Sequence, residues 1–328
     1  MCIRDRSTGR RESTPSASTS WDAATGALVL ASGVSAAFWW QIPWVPPWWA
    51  ASVQGAAVIS LADVLALAAV CVGMASWARR RGSVRVVETP MVVAGLVVAA
   101  AGIAGSPRAA NIGLAIATSA HLVLLLGLYV VVSQGYVRPA HACWALVAAL
   151  ALQVPVALLQ VARQSTFPAA LLLSWQADYV PSTSGASVLL RDDGSRWLRA
   201  YGPFFHPNIL GGYLAVELVA LVALFAFDPA VSRSASVRTA LGLLAGLALG
   251  CLALSGSRGG WVSAGAGVGA LWLLARRQHQ RTRVAPDAVL ATVLAAVAVI
   301  ALFRPPLFER FAPLSNSLER RSVELRWQ

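Results

Sequence analysis

The chain has 328 residues, of which 57% are hydrophobic and only 12% charged, and its mean hydropathy is +0.65. A soluble domain carries roughly 25% charged residues, so these proportions exclude one and imply an integral membrane protein. The net charge of +12 comes from arginine, since no lysine occurs. The arginines sit in short loops between apolar runs rather than on one clustered basic face, which argues against a nucleic-acid partner.

Residues 1–23 form a polar leader whose opening, MCIRDRS, has neither pattern nor amphipathic logic and reads as cloning read-through. After it come about nine apolar runs, judged against the ~20 residues that a helix needs to cross a bilayer. They fall at 24–40, 55–77, 90–105, 112–133, 143–162, 209–227, 239–254, 261–275 and 288–303. The fold class expected is therefore all-α, a polytopic helix bundle over residues 24–303.

Charge in the connections sets the orientation. Arginines cluster at Arg79, Arg80, Arg81 and Arg85, at Arg138, at Arg233 and Arg238, and at Arg276, Arg277, Arg281 and Arg283. With nine spans all four loops fall on one side, which the positive-inside rule makes cytoplasmic, together with the N-terminus. The loop at 163–208 is then external, and so is the segment 304–328. That segment ends on the beginning of an amphipathic helix and is expected to open a larger external loop continuing past Gln328.

Cys71, Cys143 and Cys251 lie in or beside apolar runs and Cys2 in the leader, without metal-ligand or redox spacing, so they read as small apolar residues. No Walker loop, HExxH or paired-carboxylate motif is present, and no metal or cofactor is expected. Gly265 to Gly269 (Gly-Ala-Gly-Val-Gly) reads as a small-residue helix-packing face. Asp63, His121 and Glu217 stand inside spans, where ionisable groups are costly, yet the sequence offers no partner for any of them.

Two motifs carry the chemistry, both at the external side. The first runs from Arg199 through Tyr201, Gly202, Pro203, Phe204, Phe205, His206 and Pro207 to Asn208, at the mouth of the sixth span. Asn208 suits the N-cap of that helix, whose positive end favours an anion. The second is Ser255-Gly256-Ser257-Arg258-Gly259-Gly260, a tight turn between the seventh and eighth spans, with glycines that leave backbone N–H groups open to an anion. Guanidinium groups at a membrane edge suit a phosphate. The bland alternatives stand beside these: Arg258 as a snorkelling loop arginine, Arg199 as a solvated charge, and His206 as a helix-start residue bonding locally rather than a general base.

FFHPNILGGYLA (204–215), LSGSRGGWV (254–262) and ERRSVELRWQ (319–328) resemble the O-antigen ligase and polymerase superfamily of bacterial envelope glycosyltransferases. The resemblance covers 199–328 by motif and the rest by architecture. It implies a GT-C-like bundle in the bacterial inner membrane. It implies metal-independent, inverting transfer of glycan from a polyprenyl-pyrophosphate carrier to a hydroxyl on a glycan or lipid acceptor. Arg199, Arg258, Asn208 and Arg321 would bind substrate. His206 is the candidate base in this stretch, although the family's own histidine would fall beyond Gln328. Members labelled as bicarbonate or anion carriers keep a transporter reading open, as does a non-catalytic role in envelope assembly. On the enzyme reading, lysine at position 199 or 258 should impair transfer and leave the protein folded.

Overall fold

The computed structural model describes residues 20–36, 41–42, 59–80, 89–108, 112–166, 187–190, 195–204, 206–277 and 286–303. Among them are nine long helices: α1 (Ser20–Ala36), α2 (Leu61–Arg80), α3 (Thr89–Gly105), α4 (Ile112–Ser133), α5 (Pro139–Arg163), α6 (Pro207–Phe227), α8 (Ala235–Ser255), α9 (Arg258–Arg277) and α10 (Pro286–Phe303), with a single-turn helix α7 (Pro229–Arg233) before α8. Two small antiparallel ribbons join them: β1 (Gln41–Ile42) with β2 (Ile59–Ser60), and β3 (Val188–Leu190) with β4 (Arg196–Leu198). The protein is thus a helical bundle. α1 begins at Ser20, inside the stretch expected to be polar leader, because Asp22 in its first turn accepts a 2.5 Å hydrogen bond from Ser76 of α2.

Six helices (α2, α4, α5, α6, α8 and α10) are long and apolar enough to cross a bilayer. α1 and α3 have 17 residues each, and α9 is diluted by glycine, serine and arginine. Large aliphatic side chains stand exposed on the bundle, among them Leu67, Val97, Val98, Leu125, Leu294 and Leu302. In water such a belt would aggregate; against lipid it is the ordinary surface of a multi-pass membrane protein.

Register fixes the helix directions. Ser32 and Asp22 of α1 bond to Ala62 and Ser76 of α2, so these helices run antiparallel. Asp63 meets His121, and Gly73 packs on Val131, so α2 and α4 run parallel, and α3 must return between them. α5 and α6 are antiparallel, since Trp144 reaches Asp228 and Gln153 reaches Glu217. Gly211 lies on Gly260 and Gly267 on Val219, which makes α6 and α9 parallel.

The α8–α10 seam is a stripe of glycines. Gly242, Gly246 and Gly250, four apart, face Ala288, Thr292 with Ala295, and Val299 in turn. A Cβ at Gly246 would stand 2.3 Å from the Thr292 carbonyl oxygen, so the backbones touch as in small-xxx-small membrane packing. Thr292 Oγ1 donates to the Gly242 carbonyl, and Arg238 pairs with Asp287 at 3.0 Å at the base of the seam. Of Gly265, Gly267 and Gly269, expected to be a packing face, only Gly267 packs on another helix among the described residues, against Val219. The apolar core lies among α5, α6 and α8, around Leu150, Leu210, Leu214, Leu221, Leu252 and Leu254.

These directions put the β3–β4 ribbon, the start of α6 and the α8–α9 turn at one end, and Arg138, Arg233, Arg238 and Arg276 at the other. On the positive-inside rule the second end is the one expected to face the cytoplasm. A single cysteine at Ser234 should resist a membrane-impermeant thiol reagent in intact cells, whereas one at Ser184, outside the described residues, should react. The reverse pattern would invert the topology.

Candidate functional site

The two arginine motifs meet. The polypeptide leaves β4 at Leu198, and Ala200 N–H donates to the Leu254 carbonyl at the end of α8, at 3.1 Å. Arg199 is thereby laid across that helix end, with only 4% of its surface exposed. Its Nε donates to the Ser255 carbonyl at 2.6 Å, Nη1 to Ser187 Oγ at 2.7 Å and Nη2 to Asn208 Oδ1 at 2.7 Å. A helix C-terminus carries unsatisfied carbonyls and partial negative charge, so a cation there is stabilising. One guanidinium ties four segments together: the approach to β3, the exit from β4, the first turn of α6 and the last turn of α8.

The turn it holds is short because each residue does a different job. Gly256, with φ 58°, ends α8 in the left-handed conformation that glycine adopts without steric cost. Ser257 caps α9, its Oγ accepting from Gly260 N–H at 3.2 Å. Arg258 is then the first residue of α9 and stands exposed. A Cβ at Gly211 would meet the Ser257 side chain at 2.4 Å, and one at Gly260 would meet the Gly211 carbonyl at 2.7 Å. Glycine is required at both places for the turn to sit on α6.

The start of α6 differs from expectation in one respect. His206, not Asn208, is the N-cap: its Nδ1 accepts from the Asn208 N–H at 3.1 Å. Asn208 is already inside the first turn, which turns its carboxamide oxygen to Arg199. This Nδ1 bond is local to the helix start. Arg321 and Phe205 lie outside the described residues.

Gln160, which sequence reasoning passed over, carries the motif loop. Fully buried in α5, it donates through Nε2 to the carbonyls of Gly202 at 2.7 Å and Thr166 at 3.1 Å, and accepts from Tyr201 N–H at 3.2 Å. Gly202, with φ 58°, turns the chain there, and Phe204 stacks on Tyr213 of α6 with ring centroids 4.6 Å apart.

The ionisable groups within the spans also acquire partners. Asp63 Oδ1 lies 2.6 Å from His121 Nε2. Glu217 Oε1 accepts from Gln153 Nε2 at 2.8 Å, both residues fully buried, and two atoms remain without partners: Glu217 Oε2 and Gln153 Oε1. Both are acceptors, so a donor at the Glu217 position is what the pair lacks among the described residues. Glu217→Gln is therefore expected to keep or raise thermal stability. Gln153→Leu, which strands the carboxyl, should cost about 1–3 kcal/mol. Melting of the purified variants in detergent checks the pair; equal losses from both would refute the missing-donor reading.

Among the described residues no group of three His, Cys, Asp or Glu side chains is placed to hold a metal. No family model matches the chain, and no curated protein sequence or solved structure matches it. Fold and geometry define a class all the same: a multi-pass helical membrane protein with a buried arginine network at one end and an exposed arginine on the turn it supports.

Proposed function

We propose that the protein transfers glycan from a polyprenyl-pyrophosphate carrier to an acceptor hydroxyl at the external face of the bacterial inner membrane, all nine long helices crossing the bilayer in a GT-C-like bundle. The observation that carries this reading is the junction of motifs far apart in the chain, Arg199 bonding Ser255 at 2.6 Å in the turn that presents Arg258. In an inverting displacement the acceptor oxygen attacks the sugar's anomeric carbon as the bond to pyrophosphate breaks, and negative charge grows on the leaving phosphate. Arg258 supplies a planar guanidinium cation at the positive end of α9. Arg199 serves the same charge by holding the turn, with Asn208 as its partner. His206, at the mouth of α6, is the candidate to take the acceptor's proton, and to do so it would release the Asn208 N–H, which occupies the one lone-pair nitrogen of its neutral ring; Arg321, outside the described residues, would bind substrate.

The test is transfer in membranes of matched protein content, from a polyprenyl-pyrophosphate-linked glycan to its acceptor. Product that depends on the protein supports the reading, and none with an intact donor overturns it. The ionisable pair Asp63–His121 within the spans favours one second reading, an anion transporter. A carboxylate repels an anion, however, and uptake of labelled bicarbonate into proteoliposomes would be needed to revive it.

A further inference from the structure

A cavity of about 470 Å³ lies among α1, α2, α4, α5 and α6. Its size is within the ~300–1,000 Å³ usual for small-molecule sites. Most of its wall is aliphatic, with Leu124 and Leu128 from α4 and Leu146 from α5. The polar groups are Ser32, whose hydroxyl donates to the Ala62 carbonyl, and Ser60, Asp63, His121 and Tyr213.

The arrangement of these groups restricts the ligand. Asp63 and Ser60 form a reciprocal cap on α2: Asp63 Oδ2 accepts from the Ser60 N–H and Oγ, each at 2.7 Å, and Asp63 N–H donates to Ser60 Oγ at 3.2 Å. Oδ1 holds His121 Nε2 at 2.6 Å. Three donors thus engage the carboxylate, and a fixed imidazole nitrogen fixes the role of the other: Nδ1 is what the dyad has to present. His121 sits near the middle of the 22-residue α4, and its side chain is 46% exposed. An ammonium ligand would find three of the carboxylate's roughly four lone-pair sites already taken. A phosphate or carboxylate would face the Asp63 charge in a cavity of low polarity, where repulsion is poorly screened. A hydroxyl both donates and accepts, so it satisfies Nδ1 whether or not that atom carries a proton, and it brings no charge.

We propose that this cavity is a binding site for one long-chain alcohol, its hydroxyl on His121 Nδ1 and its chain along the leucine wall. The assignment does not depend on the arginine motifs, so it stands or falls separately from glycan transfer.

The test uses the full chain in lipid nanodiscs and three photoreactive probes with the same diazirine-bearing chain: a primary alcohol, the matching alkane and the matching primary amine. The alcohol should label α1, α4 or α5 saturably and be competed by unlabelled alcohol, with the alkane and the amine markedly weaker. His121→Phe keeps the ring bulk and removes Nδ1, and should weaken labelling about five- to tenfold, as the loss of a single hydrogen bond predicts. Leu124→Trp narrows the chain-binding wall and should reduce labelling by the alcohol most. Equal labelling by the alkane would show that the dyad is not read. Stronger labelling by the amine would show a cation site. Labelling that never saturates would show bulk lipid filling a gap. Each of these three overturns the proposal, and all are read on the unaltered protein even if a variant fails to fold.

Discussion

Replacing Arg258 by lysine is expected to slow glycan transfer about ten- to a hundredfold while leaving thermal stability unchanged, as the loss of one charge-assisted bond worth ~1.5–3 kcal/mol would require. The side chain is exposed at the first position of α9, after the Ser257 cap has already satisfied the Gly260 N–H. Surface positions of that kind change stability by about 0.5 kcal/mol or less. Lysine keeps the charge but loses the planar fork that grips two phosphate oxygens at once. The comparison is of transfer rate and melting temperature on the same preparation. A normal rate would return Arg258 to the status of a loop charge and remove the main support for a pyrophosphate clamp.

Arg199→Lys should behave differently, and here the geometry replaces the expectation that both lysine variants stay equally well folded. The guanidinium reaches Ser255, Ser187 and Asn208 from three separate nitrogens, and a single ammonium on a longer stem cannot span that triangle. Buried acceptors are then left unmatched, with an expected loss of about 3 kcal/mol, and Arg199→Ala should lose at least as much. Transfer should fall with it, because the turn bearing Arg258 loses its brace. Melting in detergent separates the cases: a lysine variant as stable as the parent but inactive would mean that Arg199 touches substrate directly.

How far the sequence could be read depended on how local each signal was. The helices were visible because each is a continuous apolar run, and every predicted run overlaps one of the nine long helices among the described residues, although the run at 55–77 took in the β2 residues Ile59 and Ser60 before α2. The start of α1 was misplaced because Asp22 looks like a loop residue until Ser76 is opposite it. Gly265 to Gly269 drew attention as a dense cluster, yet glycine packs a helix by spacing rather than density. Gly242, Gly246 and Gly250 had the four-residue spacing and were the readable signal. Gln153 and Gln160 were readable too: two amides seven apart in an apolar helix share a face, and each proves to hold a distant buried group. The partner of Asp63 could not be read, since nothing along the chain indicates which helix lies beside it. Likewise both arginine motifs were visible, but not that Arg199 turns inward and Arg258 outward, because that depends on which of them meets the end of α8.

The glycine stripe also acts as a ruler. Because α8 and α10 run parallel with Gly250 level with Val299, the residues left in each helix, 251–255 and 300–303, rise about 7.5 and 6 Å further. The two helices therefore finish at nearly the same height, and Phe303 stands about level with the turn that bears Arg258. A slip by one small-residue repeat would shift that level by about 6 Å along the membrane normal. Close backbone contact along the seam thus sets the height at which α10 ends relative to the arginine turn.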